Sequence, residues 1–203
     1  MNTILNNFLN YPNGIYIEAG ANDGLAQSNT YTLQTQLNWK GILIEPSKYA
    51  YDLCKINRPG NIILQTALIA DSTINSINGD FDGNLMSSVS GARLNRNFFN
   101  TVSATTLNSI LKMYNPKANV IDYLSLDVEG FELNVLKGLD FDKFTFKFLQ
   151  IEINYLSYSF GDIIKILEKD YYLYDNITKY TKKTNPGWDG THNDYFFINK
   201  KLC

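Results

Sequence analysis

The sequence is poor in the residues that most directly announce a chemistry. It has one histidine, His192, and two cysteines, Cys54 and Cys203. Two cysteines in 203 residues make no disulfide framework, and with one histidine they do not make up a Cys/His zinc set. Positive charge is equally short. Lys and Arg number 18 against 20 Asp and Glu, for a net charge of -2, which argues against the basic face of a nucleic-acid-binding protein. No apolar run approaches the roughly 18 residues of a membrane span. The N-terminal MNTILNNFLNYPNG lacks both the basic start and the sustained apolar stretch of a signal peptide. The expectation is a cytoplasmic protein with no membrane span and no nucleic-acid partner. No repeat, low-complexity tract or linker is visible, so a single domain is expected over 1–203, opening with a helix over 1–13.

What is present is core and alternation. The chain is 44% hydrophobic, enough for a sizeable interior. GIYIEA (14–19), GILIEP (41–46), NIILQTAL (61–68), VIDYLSLDV (120–128) and FKFLQIEIN (146–154) are short and apolar on both faces, as buried parallel strands are. Helical patterns over 29–38, 47–57, 105–114, 132–138 and 160–169 fall between and after them. That alternation predicts a doubly wound α/β sheet with right-handed crossovers. Residues 69–103 interrupt it with a Ser-, Asn-, Gly- and Asp-rich insert, where Asn78-Gly79 and Asp82-Gly83 signal turns that would close a small hairpin. Near the C-terminus, YYLYDNITKYTKK and DYFFINKK flank NPGWDGTHN and read as an antiparallel pair at the sheet edge.

In such sheets ligands bind beyond the carboxyl ends of the strands, so those ends carry the functional reading. The first ends in EAGANDG, without the GxGxxG of a dinucleotide turn or the Lys of a P-loop. Gly20 and Gly24 give the backbone freedom to turn, while Glu18 and Asp23 add negative charge. Such a turn repels phosphate and suits a cationic, hydroxyl-bearing ligand such as S-adenosylmethionine. The second strand ends in Glu45, 21 residues beyond Gly24, where an acid accepts hydrogen bonds from ribose hydroxyls. The third offers Ala67, Leu68 and Ile69 as an apolar wall for adenine, with Asp71 as an adenine acceptor or a plain turn residue. The fourth ends in SLDVEGFE, where Asp127 and Glu129 suit a general base or the oxygen ligands of a cation. Glu132 fits the first turn of the next helix, where the macrodipole favours an acid. Glu152 and Asn154 reach the same rim on the fifth strand. His192 and Trp188 sit in a polar turn, a setting in which a lone histidine is ordinarily exposed and an aromatic packs.

YIEAGANDG, SNTYTL, GILIEPSKYAYDLCKINRPGNI, TAL and IDYLSLDVEGFELNVLKGLDF together resemble the FkbM family of S-adenosylmethionine-dependent methyltransferases, over about residues 14–154. Typical members have Asp where Glu18 stands, so the charge is kept. The resemblance implies a class I methyltransferase fold, a Rossmann-like seven-stranded sheet whose last strand, DYFFINK, is antiparallel. It implies O-methylation, often of sugar hydroxyls in glycans, lipids or macrolide-type products, with a small-molecule or glycan acceptor. The cofactor residues it implies are Glu18, Gly20, Ala21, Asn22, Asp23, Gly24, Ser28, Thr30, Glu45, Pro46, Ala67, Leu68 and Asp127. Asp127 would lie near the transferred methyl, and the base stays open between Asp127, Glu129 and His192. Magnesium at Asp127 stays open as well, since no full ligand set is visible. The acceptor is expected against the 69–103 insert and the C-terminal turn, near Arg93, Arg96, Tyr180 and Trp188. A metal-dependent glycosyltransferase reading LDVE as its metal motif, an NAD-dependent oxidoreductase, and a non-catalytic cofactor-binding scaffold are the rival readings.

Overall fold

A computed structural model describes residues 4–84, 86–91, 93, 95–97, 99–114 and 119–202; Cys203 lies outside them. The strands of the large sheet are β1 (Ile15–Ala19), β2 (Lys40–Ile44), β3 (Ile62–Leu64), β7 (Val120–Leu126), β8 (Thr145–Asn154), β9 (Tyr171–Asn176) and β10 (His192–Asn199). Their spatial order is β3-β2-β1-β7-β8-β10-β9. The pairings from β3 to β8 are parallel, and β10 runs antiparallel to both β8 and β9. The expected seven strands with an antiparallel last strand are therefore present.

Helices α1 (Tyr31–Leu37), α2 (Lys48–Asn57), α3 (Leu107–Tyr114), α4 (Glu132–Lys137) and α5 (Phe160–Leu167) supply the other layers. Their ends follow local chemistry. Asn38 closes α1 in the left-handed region at φ 55°. The Ser159 hydroxyl and the Asp162 carboxylate form a reciprocal capping box at the start of α5. The helix expected over 1–13 is a π-helical turn, Leu5–Leu9. Pro12 disfavours helical backbone at Tyr11, so the turn cannot run on to Gly14.

Because helices cover both faces of the sheet, strand residues alternate between two cores. In β1, Ile17 and Ala19 join Ile44, Leu124 and Val135, while Tyr16 faces Leu33, Trp39 and Cys54 on the other side. Each fully buried aliphatic or aromatic side chain contributes about 1.5–3 kcal/mol. The continuous apolar strands of the sequence are accounted for by these two interiors.

Two expectations fail in the insert. The run 61–68 is not one strand. After β3 the chain turns at Gln65 and Thr66, and β4 (Ala67–Leu68) enters a separate three-stranded sheet, ordered β4-β6-β5, with β5 (Ser76–Gly79) and β6 (Asn100–Thr105). The returning β6 causes the break. The Thr66 hydroxyl donates to Ser103 O, the Ser103 hydroxyl donates to Gln65 O, and Ile69 N–H donates to Thr105 O. Asn78-Gly79 is not a turn either. It is strand β5, paired with Thr101 and Asn100. Gly79 is needed for packing, since a Cβ there would stand 2.4 Å from the Phe81 ring. Asp82-Gly83 does bend the chain, within the loop that returns to pair Val89 with Gly79. Among the described residues, no helix is long and apolar enough to cross a membrane.

Candidate functional site

The order of the large sheet reverses between β1 and β7, so their carboxyl ends lie side by side at the switch point. Glu18 pairs with Ser125 and Ala19 with Leu126, which delivers Gly20 and Asp127 to the same place. The approach is close. A Cβ on Gly20, at φ +81°, would lie 1.7 Å from Asp127 O. Gly20 and Ala21 N–H also donate to Ile44 O, tying the turn to the end of β2.

A cavity opens over these ends. Gly20, Ala21 and Asn22 form its floor, with Glu45 and Pro46 from the end of β2. Ala67 and Leu68 of β4 form the apolar wall. Asp127 and Glu129 bound it on the β7 side, and Ser28 on another. Sequence reasoning missed the insert's share of this wall, Phe81, Asn84, Ser87 and Val89. No Lys or Arg is among the described lining residues, so the negative character read from the motif is retained.

Glu45 is 8% exposed; its Oε2 accepts Asn22 N–H at 2.9 Å and its Oε1 accepts Ser47 N–H at 2.8 Å. Burial pushes its carboxyl up to about 7, against the pull of those two donors. Each oxygen keeps a lone pair with which to accept a hydroxyl.

Four expected cofactor residues do not line the cavity. Glu18 shares the strand face of Tyr16 and is buried beneath α1 and α2. It accepts the Thr30 hydroxyl at 2.6 Å, Asn29 N–H at 2.8 Å and the Ser28 hydroxyl at 3.0 Å, and pairs with Arg58 at 3.4 Å. Burial raises its carboxyl above the usual range, opposed first by Thr30 and then by Arg58. Thr30 belongs to this network, accepting from Arg58 Nη2 at 2.8 Å. Gly24 sits against α2, where a Cβ would meet Arg58 Cγ at 2.5 Å and Cys54 Sγ at 3.0 Å. Asp23 Oδ1 accepts Leu25 and Ala26 N–H, both at 2.8 Å, and shapes the turn. Arg58 was missed. It is fully buried and donates to Gly24 O, Ser28 Oγ and Tyr16 Oη. Asp71 takes its turn reading, accepting Thr73 N–H and hydroxyl.

Asp127 also lines a second cavity, with Glu152, Gln150, His192, Asp194 and Tyr180. Asp127 Oδ1 and Glu152 Oε2 are buried with no hydrogen-bond partner among the described residues. Burial raises Asp127 well above the carboxylate range, and the charge of Glu129 adds to it. Burial and Asp127 push Glu152 up to about 12. Glu129 stands in the left-handed region at φ 55°, followed by Gly130 at φ 97°, and this turn lifts its carboxyl between the cavities. Burial raises Glu129 to about 7 against the Arg93 charge. Glu132 is buried rather than solvated, and it holds the loop. Its Oε1 accepts Val128 and Gly130 N–H, and its Oε2 accepts the Tyr158 hydroxyl.

Arg93 fastens the insert to this site. Its Nε donates to Glu129 Oε2 at 2.9 Å, and its Nη2 reaches Asp189 Oδ2 at 2.9 Å and His192 Nδ1 at 3.1 Å. His192 opens β10 rather than lying in a loose turn, and burial lowers its pKa. His192 Nδ1 also faces Asp189 Oδ1 at 3.5 Å and the Thr191 hydroxyl at 3.2 Å, and its Nε2 lies 3.8 Å from Glu152 Oε1. Trp188 is half-buried, and its Nε1 donates to His192 O.

Among solved structures, the fold is similar to that of methyltransferase FkbM from Methylobacillus flagellatus KT, with 15% identity and a TM-score of 0.54, covering 92% of this chain and 44% of that one. The chain thus spans less than half the length of that relative. It is also similar to the plantazolicin methyltransferase BpumL in complex with SAH, with 9% identity and a TM-score of 0.50, covering 97% and 79% of the two chains. At these identities the likeness is one of fold. A comparison with curated proteins finds no match. The methyltransferase FkbM domain matches residues 18–174, and with most of its length so matched the chain belongs to that methyltransferase family.

Proposed function

We propose that this protein uses S-adenosylmethionine to methylate a hydroxyl of a polyhydroxylated acceptor, a sugar or glycoconjugate. The observation that carries the reading is that two cavities meet at Asp127, one suited to a nucleoside and the other lined by polar acceptors. The first cavity fits the cofactor by its donor set. Glu45 accepts the ribose hydroxyls, Ala67 and Leu68 cover the adenine, and the Gly20–Asn22 turn meets the methionine portion. The absence of a lining cation among the described residues suits a sulfonium and an ammonium. Glu18, Gly24 and Thr30 act one step back, by holding the loop that carries Ser28.

When bound, S-adenosylmethionine supplies an activated methyl, which passes to the acceptor oxygen as the carbon–sulfur bond breaks and sulfur keeps the electron pair. The chain's task is alignment, for which holding two reactants in place contributes most of the rate. Once ionised, Asp127 at the junction receives the acceptor's proton, and burial makes its carboxylate the stronger base. The Glu129 carboxyl, half-committed to Arg93, supports it electrostatically. The Arg93 charge 3.1 Å from His192 Nδ1 opposes protonation of the ring, which favours Asp127 as the base. The 177–191 loop, tied to the insert through Asp189 and Arg93, forms part of the acceptor side.

The test is transfer of isotopically labelled methyl from S-adenosylmethionine to a panel of nucleotide-sugars, free sugars and oligosaccharides. Label on an acceptor oxygen is expected, and transfer to nitrogen or carbon acceptors alone would contradict the reading. Binding of a nucleotide-sugar with no binding of S-adenosylmethionine would favour the glycosyltransferase rival.

A further inference from the structure

Asp127, Glu129 and Glu152 each present a carboxylate oxygen, and the three lie within 4.8 Å of one another. Two ligands on opposite sides of Ca²⁺ stand about 5 Å apart and those of Mg²⁺ about 4.2 Å apart, so the spacing fits a divalent ion with oxygen ligands. Acidic side chains cluster on many surfaces, but this cluster is not a surface. Glu152 is 6% exposed, and its Oε2 and Asp127 Oδ1 are buried and meet no donor among the described residues. Buried carboxylate oxygens without donors are costly unless something positive satisfies them. Among the described residues, no cationic or amide side chain does. Arg93 is committed to Glu129 Oε2, Asp189 and His192, while Gln150 Nε2 donates to Asp194. Once ionised, these carboxylates carry more negative charge than Arg93, shared with Asp189, can offset, and a divalent cation neutralises the excess.

We propose that Asp127, Glu129 and Glu152 bind a divalent cation of the Mg²⁺, Mn²⁺ or Ca²⁺ class at the junction of the two cavities. Three protein ligands leave open positions toward the second cavity, where Gln150, Asp194 and Tyr180 stand. Two neighbouring hydroxyls of the acceptor complete the coordination, so the ion selects a vicinal diol over an isolated alcohol. Glu129 completes the set because its left-handed turn points its carboxyl back toward Asp127. Its Oε2 holds Arg93, leaving Oε1 for the ion. This proposal rests on the methyltransferase reading only for the identity of the acceptor, since the ion site stands on the three carboxylates alone.

The test needs no turnover. Mn²⁺ binding to the full chain is followed by loss of the free-ion electron paramagnetic resonance signal, and Ca²⁺ binding by calorimetry. One ion per chain is expected, with affinity at least tenfold weaker in Glu152→Gln and in Asp127→Asn. Circular dichroism checks that each variant is folded. S-Adenosylmethionine is titrated into the same samples. No binding of either ion at millimolar concentration, in protein that binds S-adenosylmethionine, overturns the ion site and leaves the methyltransferase reading standing. Ion binding unchanged in both variants also overturns it, since the ion then lies elsewhere. Ion binding without any S-adenosylmethionine binding supports the site and counts against the methyltransferase reading.

Discussion

Two side chains, Glu45 and Asp127, carry the proposed work at the site, and each is tested by a different measurement. Glu45 is the proposed anchor of the cofactor. A lost pair of charge-assisted hydrogen bonds costs about 1.5–3 kcal/mol, so Glu45→Ala is expected to weaken S-adenosylmethionine binding by about ten- to a hundredfold. Its pH dependence has a definite sign. Burial raises Glu45 from 4.5 to about 7. The fold favours its neutral form, so its contribution to stability is full below the lower value and is lost as pH rises through the upper. Ribose hydroxyls donate to the ionised form, so cofactor affinity runs the other way. It is expected to rise between pH 6 and 8, and to stay flat in Glu45→Gln. Asp127→Asn is expected to lower turnover far more than cofactor affinity. Equal losses in both would reduce Asp127 to a binding residue. At this scale the sequence was only partly legible. Glu45 and Asp127 could be placed on the cavity because strand ends are marked by where the apolar run stops. Glu18 could not be separated from them, because its destination depends on Arg58, 40 residues away, arriving beneath the same strand face.

At the scale of elements, the site depends on two tight junctions. One is the β1 turn against the end of β7. Gly20→Ala would force a Cβ into Asp127 O and hold a side-chain residue at positive φ. Each effect costs about 1–3 kcal/mol, so denaturant unfolding should show a loss of several kcal/mol. The other is the Glu18–Arg58 pair that ties the 24–30 loop to α2. Removing one partner of a buried pair leaves the other uncompensated, so Arg58→Met is expected to cost about 3–5 kcal/mol. Adding Glu18→Gln should restore part of it, and failure to do so would mean that Arg58 acts mainly through Tyr16 and Gly24. The parallel strands and their helices were readable because local periodicity dictates them. The division of 61–68 into β3 and β4 was not. The apolar run NIILQTAL carries no trace of the partner, β6, that claims its second half.

For the molecule as a whole, the sheet sets the floor of the first cavity and the insert supplies part of its wall. Phe81, Asn84, Ser87 and Val89 bring the insert onto the cofactor side, and Arg93 latches it to β7 and to the 177–191 loop. Arg93→Met is expected to raise the KM for the acceptor while leaving cofactor affinity within about twofold. Faster hydrogen exchange over 80–99 should accompany it. A loss of cofactor binding as large as the loss of acceptor binding would show that the latch shapes the first cavity instead. The parallel direction of the central strands followed from the alternation of the sequence, and the negative first cavity from EAGANDG and LIEP. The second cavity joins residues from β7, β8 and β10 with the loop before β10, a meeting that only the folded chain reveals.

The central claim is that the cavity over β1 and β2 holds S-adenosylmethionine through Glu45. Calorimetric titration of the protein with S-adenosylmethionine tests it most directly. One molecule is expected to bind per chain, with affinity reduced at least tenfold in a folded Glu45→Ala variant. No binding to the wild-type protein, or undiminished binding to that variant, would contradict the account.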